Sequence, residues 1–268
     1  MKQYFHEIYQ KLIPYITLRY FKSNYVVEFF NTEKKIGNIT AKRSFTLRHK
    51  VYCDEFGFED TSKEQLEFDK YDKKSIGCLI SSKVKRNKID TTLDRATTYN
   101  TPFDDPAIAG VRVLMRSENG ELPCLEAISH AYPEDYIKIK EQLHGLNYGE
   151  ISRLLILNDH RNKTLFKFQG AIKGNYLLFS VFAASFVLSK NFDCTIFMCE
   201  KKLMYFLKKI GVPFTQLMKK GIEHRGTRYP IKLDTKEVEK ILENADNPAL
   251  KTIASLVNTL MEKAPKGA

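Results

Sequence analysis

The stretch NYGEISRLLIL, residues 147–157, decides how the rest of the chain is read. Leu154 to Leu157 mark a strand bound for a core, yet that strand opens on Glu150, Ser152 and Arg153. Period two puts Glu150 and Ser152 on one face and Arg153 on the other, unless a bulge intervenes. Either these residues are the wet end of a strand or a site sits at its mouth.

Toward the C-terminus the polar NDHRNKT reads as a turn, followed by a long apolar helix over 165–189. Its YLLFSVFAASFVL segment is too short to span a bilayer and reads as a buried helix. CTIFMCE (194–200) is a strand, and KKLMYFLKKI is a helix stopped by Gly211. PFTQLMKK and YPIKLD read as two strands around GIEHRGTR, where Gly226 marks a tight turn and His224 sits in a structural hairpin. Two helices follow. The first is capped by Asp234 with Glu237 three residues on; the second starts at Asn247–Pro248.

Toward the N-terminus a helix over 3–21 contains Pro14, which should kink or split it. YVVEFF (25–30) is a strand. ITAKRSFTLRHKVYCDEF (39–56) is a helix with Phe45, Leu47, Val51, Tyr52 and Phe56 on an apolar arc. Arg43, Lys50 and Asp54 lie opposite. CLISSKV (78–84) and AIAGVRVLMRS (107–117) are strands, separated by a polar insertion over 86–106. LPCLEAI (122–128) reads as irregular, and 133–145 as a short helix. The order predicts a mixed α/β layer with helices on both faces of one sheet.

With 268 residues, 43% hydrophobic and 28% charged, the chain can bury a sizeable core, which excludes wholesale disorder. A net charge of +11 favours anionic partners. Nucleic acid is the weakest of these, because no recognition motif is present. Five cysteines without CxxC spacing point to reduced thiols in a cytoplasmic protein. The first residues lack the apolar run of a signal peptide. The six histidines have no HxxxH or HxE spacing, so no metal is expected.

Four stretches place charge beside segments that should be buried: LRHKVYCDEFGFE (47–59), EFDKYD (67–72), GVRVL (110–114) and GEISRLLI (149–156). Arg48 falls inside the apolar arc. An unpaired buried charge costs roughly 3–5 kcal/mol, so Arg48 needs a partner, with Asp69, Asp72 and Glu150 as candidates. Arg112 points away from the face of Val111 and Val113 and needs a carboxylate or a substrate anion. These residues can form a purely structural ion lattice, or one that also shapes a cleft. Glu150 is then a candidate general base, with Ser152 holding a water or substrate.

In order and spacing these stretches, with the late EHRGTRYP, resemble the acyltransferases of the acyl-homoserine lactone synthase group within the GNAT superfamily. The similarity covers about residues 25–235. It is nearest to the exosortase (PEP-CTERM)-associated acyltransferases and the N-acyl amino acid synthases. The resemblance implies a GNAT-like, centrally splayed sheet in a domain over 25–234, with helical extensions at 1–24 and 235–268. The strands that part would be EISRLLIL and CTIFMCE, and the pantetheine arm of a thioester would lie between them.

The resemblance also implies transfer of a fatty acyl group from a thioester to an amine. Glu150 would take the amine's proton, Ser152 would position, and Arg48, Asp69, Asp72, Arg112 and Arg153 would line the cleft. A backbone N–H near Leu154 or Leu155 would polarise the thioester carbonyl. The implied co-substrate is acyl-phosphopantetheine on an acidic acyl carrier protein rather than acyl-CoA. NDHRNKT lacks the glycines of a pyrophosphate loop, and Gly170 and Gly174 are at the wrong spacing. The tryptophans usual in autoinducer synthases are absent; Phe58 and Gly149 stand near their places, which favours an amino-acid acceptor. The GNAT tyrosine four residues before Gly211 is replaced by Leu207, and Tyr205 is not assigned as an acid. The pairs Lys201–Lys202, Lys208–Lys209 and Lys219–Lys220 form a solvated face or a docking face for the carrier. Two alternatives stand beside this reading: a lactone synthase using S-adenosylmethionine, and a non-catalytic GNAT-like binding protein.

Overall fold

A computed structural model of the protein describes residues 2–32, 38–83, 105–116, 121–161, 176–223 and 225–264, with side chains from residue 12 onward. The chain begins with α1 (Lys2–Asn24), which carries Pro14 inside it, and β1 (Tyr25–Asn31). α2 (Ile39–His49) starts where the Asn38 side chain accepts the Thr40 N–H at 2.9 Å. It runs on into one wider π-type turn, Lys50–Glu55.

That wide turn changes the helical arc. Phe56, expected in the apolar arc, lies past the helix end and is 45% exposed, stacked on Phe58 at 4.9 Å. Arg43, expected on the solvent face, is half-buried and donates to Glu28 at 2.6 Å and Ser81 at 2.7 Å.

A 3-10 turn, Lys70–Lys74, leads to β2 (Ser75–Ser82), and β3 (Ala107–Met115) follows. LPCLEAI is a helix rather than irregular: α3 (Pro123–Ala131) begins on Pro123, whose missing N–H costs nothing at that position. Then come α4 (Pro133–Gln142), β4 (Tyr148–Ile156) and the single turn α5 (Asn158–Arg161). The apolar helix α6 spans Tyr176–Ser189. Its expected start, much of NDHRNKT, most of the 86–106 insertion and His224 lie outside the described residues. β5 (Cys194–Cys199) and α7 (Lys201–Ile210) follow, and Gly211 takes φ +85 to end the helix. β6 (Thr215–Gln216), β7 (Ile222–Glu223) and β8 (Thr227–Asp234) precede α8 (Thr235–Glu243) and α9 (Pro248–Met261).

The sheet order is β1-β2-β3-β4-β5-β8-β6, with β7 hairpinned onto β8. All these pairs are antiparallel except β4–β5. That parallel pair is short: Tyr148, Gly149 and Glu150 face Cys194, Thr195 and Ile196, and then the strands part. Apolar α6 makes the crossover, as a parallel connection requires.

One face of the sheet carries the main core. Ile76, Cys78, Val111, Val113 and Ile151 pack there with α6 and with Leu250, Ile253, Leu256 and Leu260 of α9. The C-terminal helices therefore cover the sheet. The other face carries two smaller cores. One packs α2 against Leu79 and Leu155; the other packs α3 and α4 against Leu114, Tyr148 and Ile196. The charged residues lie between them.

Candidate active site

The site begins with a register shift. Gly110 pairs Leu155 and Arg112 pairs Ser152, so Val111 faces two residues, Arg153 and Leu154. This is the β-bulge that sequence periodicity left open. Up to Ser152 the even residues share the α2–α3 face. Beyond the bulge Leu155 returns to that face and Ile156 turns to the main core. Arg153, at φ +51, leaves the alternation and joins the face that carries Arg48 and Arg112, where it meets Glu67 and Asp69. It sits over the Tyr52 ring at 5.1 Å.

Arg48, Arg112 and Arg153 interlock with Glu67, Asp69 and Asp72. Arg48 clasps Asp72 with two bonds, at 2.6 and 3.0 Å, and its Nε donates to Glu67. Arg112 donates from Nη1 to Asp69 at 2.7 Å and Asp72 at 2.8 Å, and from Nε to Ser152 Oγ at 3.0 Å. Arg153 donates to Glu67 at 2.6 Å and Asp69 at 3.1 Å. The 3-10 turn fixes the acids by reciprocal capping: Asp69 accepts the Tyr71 N–H and Asp72 accepts the Asp69 N–H. Burial pushes Asp69 up, but the hydrogen bond and charge of Arg112, with Arg48 and Arg153, hold it down at about 2. Glu67 is likewise lowered against its burial by Arg48 and Arg153.

Of the candidate partners for Arg48, Asp72 is the main one and Asp69 lies at 3.8 Å. Glu150 is not a partner. Among the described residues it makes no ion pair, and its Oε2 accepts the Cys124 backbone N–H at 2.8 Å, in the first turn of α3. Leu122, the N-cap, offers no side-chain acceptor there. Burial raises the Glu150 carboxyl to about 8, although the Cys124 N–H and the charges of Arg112 and Arg153 oppose this. The carboxyl therefore carries a proton at neutral pH and can lose it just above.

Sequence reading missed Glu67 as a member, although it lies in the quoted EFDKYD. It also missed Glu59, which bonds both Arg153, at 3.3 Å, and Arg225 of the β7–β8 turn. Nothing in the local pattern marks which acid of a loop turns inward. Tyr205 is 71% exposed on α7, away from the cluster. Cys124 is buried, and burial with the nearby Glu150 raises its thiol well above the usual range, so it is no thiolate nucleophile. All five cysteines are free. Among the described residues no group of three or more His, Cys, Asp or Glu is arranged to hold a metal ion, and no helix is long and apolar enough to cross a membrane.

Residues 47–169 match the acetyltransferase (GNAT) domain family. That span holds all seven residues singled out from sequence. No curated protein matches the chain. Among solved structures, the CoA-dependent acyl-homoserine lactone synthase BjaI, seen with S-adenosylmethionine and isopentyl-CoA, is similar at 14% identity and TM-score 0.51. The match covers 87% of this chain and 98% of that one. The CoA-dependent acyl-homoserine lactone synthase MesI is similar at 13% identity and TM-score 0.51, over 87% and 95%. FeeM, an N-acyl amino acid synthase from uncultured soil microbes, matches at 10% identity and TM-score 0.40 over 80% and 91%, too distant to bear on the assignment. At such identities the likeness to solved structures is one of fold. The splayed strands, the bulge and the domain match point the same way: residues 47–169 are similar to the acetyltransferase (GNAT) domain family, and the chain has a fold like that of the acyl-homoserine lactone synthases.

Proposed function

We propose that the protein moves a fatty acyl group from the phosphopantetheine thioester of an acyl carrier protein, in the cytoplasm, to the amine of an amino acid or similar small amine. The observation that carries this reading is the placement of Glu150. It is a buried carboxyl without an ion pair among the described residues, on the last residue of β4 that still pairs with β5. Beyond it, among the described residues, the β5-side edge of β4 has no strand beside it, and an extended thioester arm can add there as a strand does.

The chemistry needs a base for the acceptor's ammonium. A carboxyl at about 8 is matched to that task. Glu150 takes one proton from the ammonium, directly or through a water. The freed amine attacks the thioester carbonyl, and a backbone N–H near Leu154 or Leu155 meets the oxyanion. Collapse forms the amide, breaks the C–S bond and sends the nitrogen's second proton to the departing thiolate. Ser152, held by Arg112, positions rather than attacks.

The carrier is supported by α7. Lys201, Lys202, Lys208 and Lys209 are exposed around Tyr205, a basic stripe suited to an acidic protein. The alternative, a lactone synthase, differs in its acceptor. The deciding experiment incubates the protein with a long-chain acyl carrier protein, or the matching acyl-CoA, and a pool of amino acids, with S-adenosylmethionine in a parallel arm. Acylated amino acids, seen by mass, are expected. Release of methylthioadenosine with a lactone would move the assignment to the alternative. The absence of any acylated product would end the enzymatic reading.

A further inference from the structure

The three arginines of the cleft are not equivalent. The side chains of Arg48 and Arg112 are 3% and 4% exposed, while that of Arg153 is 19% exposed. One edge of the Arg153 guanidinium is saturated. Nε donates to Glu67 at 3.1 Å, and Nη2 donates to Glu67 at 2.6 Å, Asp69 at 3.1 Å and Glu59 at 3.3 Å. Among the described residues Nη1 has no partner, so two N–H donors stand unused. The Tyr52 ring beneath the plate holds its plane.

The backbone is arranged to bring that edge to the cleft. Without the bulge, alternation would send Arg153 toward the apolar face packed by α6. The bulge and the left-handed φ of +51, which residues with a Cβ rarely adopt, put it beside Ser152 instead. The Ser152 hydroxyl accepts from Arg112 and keeps its own proton to donate.

Charge narrows what can bind there. Arg48, Arg112 and Arg153 meet Glu67, Asp69 and Asp72, and Glu59 is met by Arg225. Glu150 aside, the cluster is balanced before any ligand arrives. An amine without a carboxylate brings a positive charge that only ionised Glu150 opposes, and a dicarboxylic amino acid adds an unopposed negative one. A zwitterion adds neither.

We infer that the free Nη1 edge of Arg153 determines acceptor specificity by reading the carboxylate of a zwitterionic α-amino acid, whose ammonium is thereby presented to Glu150. This rests on the acyl-transfer reading above and sharpens its acceptor. An arginine edge gives a carboxylate fixed geometry as well as charge. The amide or the decarboxylated amine of the same amino acid loses that contact.

The test holds the acyl donor fixed and screens the α-amino acids, with S-adenosylmethionine included. The best acceptor is then compared with its own carboxamide and its decarboxylated amine. For the wild-type protein kcat/KM should fall roughly 100-fold for both analogues, chiefly through KM. Glutamate and aspartate should be poor acceptors. Arg153→Lys should raise KM for the amino acid about tenfold, narrow the acid-to-amide ratio and leave KM for the donor unchanged. Where that variant does not fold, the wild-type comparison decides alone. Transfer to the carboxamide or the amine within a few-fold of the amino acid overturns the role of Arg153 and leaves acyl transfer standing. No product with any acceptor overturns both.

Discussion

The Glu150 carboxyl accepts the Cys124 backbone N–H at 2.8 Å, and none of Arg48, Arg112 and Arg153 closes on it. The strand residue that faces the split thus caps a helix on one side and makes no direct bond to the ion lattice, whose charges still act on its proton. Its raised pKa makes both activity and stability depend on pH.

For activity, the general base must be ionised, so kcat/KM should rise with pH through about 8. Glu150→Gln should flatten that profile and lower turnover by roughly 100- to 10,000-fold. A variant with near-normal turnover would remove Glu150 as the base. For stability the sign is opposite. The folded carboxyl lies above its ordinary 4.5, so the folded state binds the extra proton between 4.5 and about 8. Stability from this group is present below 4.5 and is lost as pH rises toward 8. Urea titrations across this window should show a shallower decline for Glu150→Gln than for the parent.

Arg48→Ala leaves Asp72 to Arg112 and Glu67 to Arg153, with three acids facing two arginines, and a loss of roughly 3–5 kcal/mol is expected in denaturant unfolding. Asp69 behaves the other way from Glu150. Its folded pKa is lowered from 3.8 to about 2, so its contribution is whole above 3.8 and vanishes as pH falls through 2. Asp69→Asn should flatten the acid side of the stability curve, and an unchanged acid limb would contradict the pairing.

Gly149 is crowded by its neighbours. A Cβ there would come within 2.8 Å of the Leu114 carbonyl oxygen and 3.0 Å of the Phe192 ring. The ring can move, but the strand backbone cannot do so without shifting β3 against β4. Gly149→Ala should cost roughly 1–3 kcal/mol and lower activity by displacing Glu150. Phe192→Ala in the same chain should recover only part of the loss.

Glu59 joins the 50s turn to the β7–β8 hairpin through Arg225, on partly exposed side chains. Such a pair contributes about 1 kcal/mol or less to global stability. Glu59→Gln should therefore leave unfolding nearly unchanged while speeding amide exchange over residues 222–228. Exchange identical to the parent would mean that the hairpin is held by its strand pairing alone.

Reversing Lys201, Lys202, Lys208 and Lys209 to Glu should raise KM for an acyl carrier protein about tenfold or more and leave KM for the amine acceptor unaltered. Rising salt should weaken the parent's use of the carrier in the same way. Insensitivity to both would place the carrier elsewhere or favour a CoA donor.

The periodicity of residues 39–56 was enough to single out Arg48 as a buried cation, and the valines beside Arg112 did the same for it. Both are buried and ion-paired with acids of the 3-10 turn. Other features were hidden for identifiable reasons. The π-type turn adds a residue that a fixed 100° step cannot anticipate, and so Phe56 was misplaced. Pro123 masked α3 because a proline that opens a helix and one that breaks it look alike over seven residues. Glu59 and Glu67 sit in loops without a period, and only the arginines that reach them, from helix, strand and hairpin, reveal their direction.

By itself the sequence determined the alternation of apolar strands and helices, the burial of two arginines, and the presence of a carboxyl where an aliphatic strand begins. These follow from local periodicity and from the cost of unpaired charge. Only the tertiary structure decided that β4 and β5 part after Glu150, that a bulge carries Arg153 to the cleft, and that Glu150 pairs with a helix N–H rather than an arginine. Those outcomes depend on which strands lie side by side and in what register, which is settled by contacts among residues dozens of positions apart.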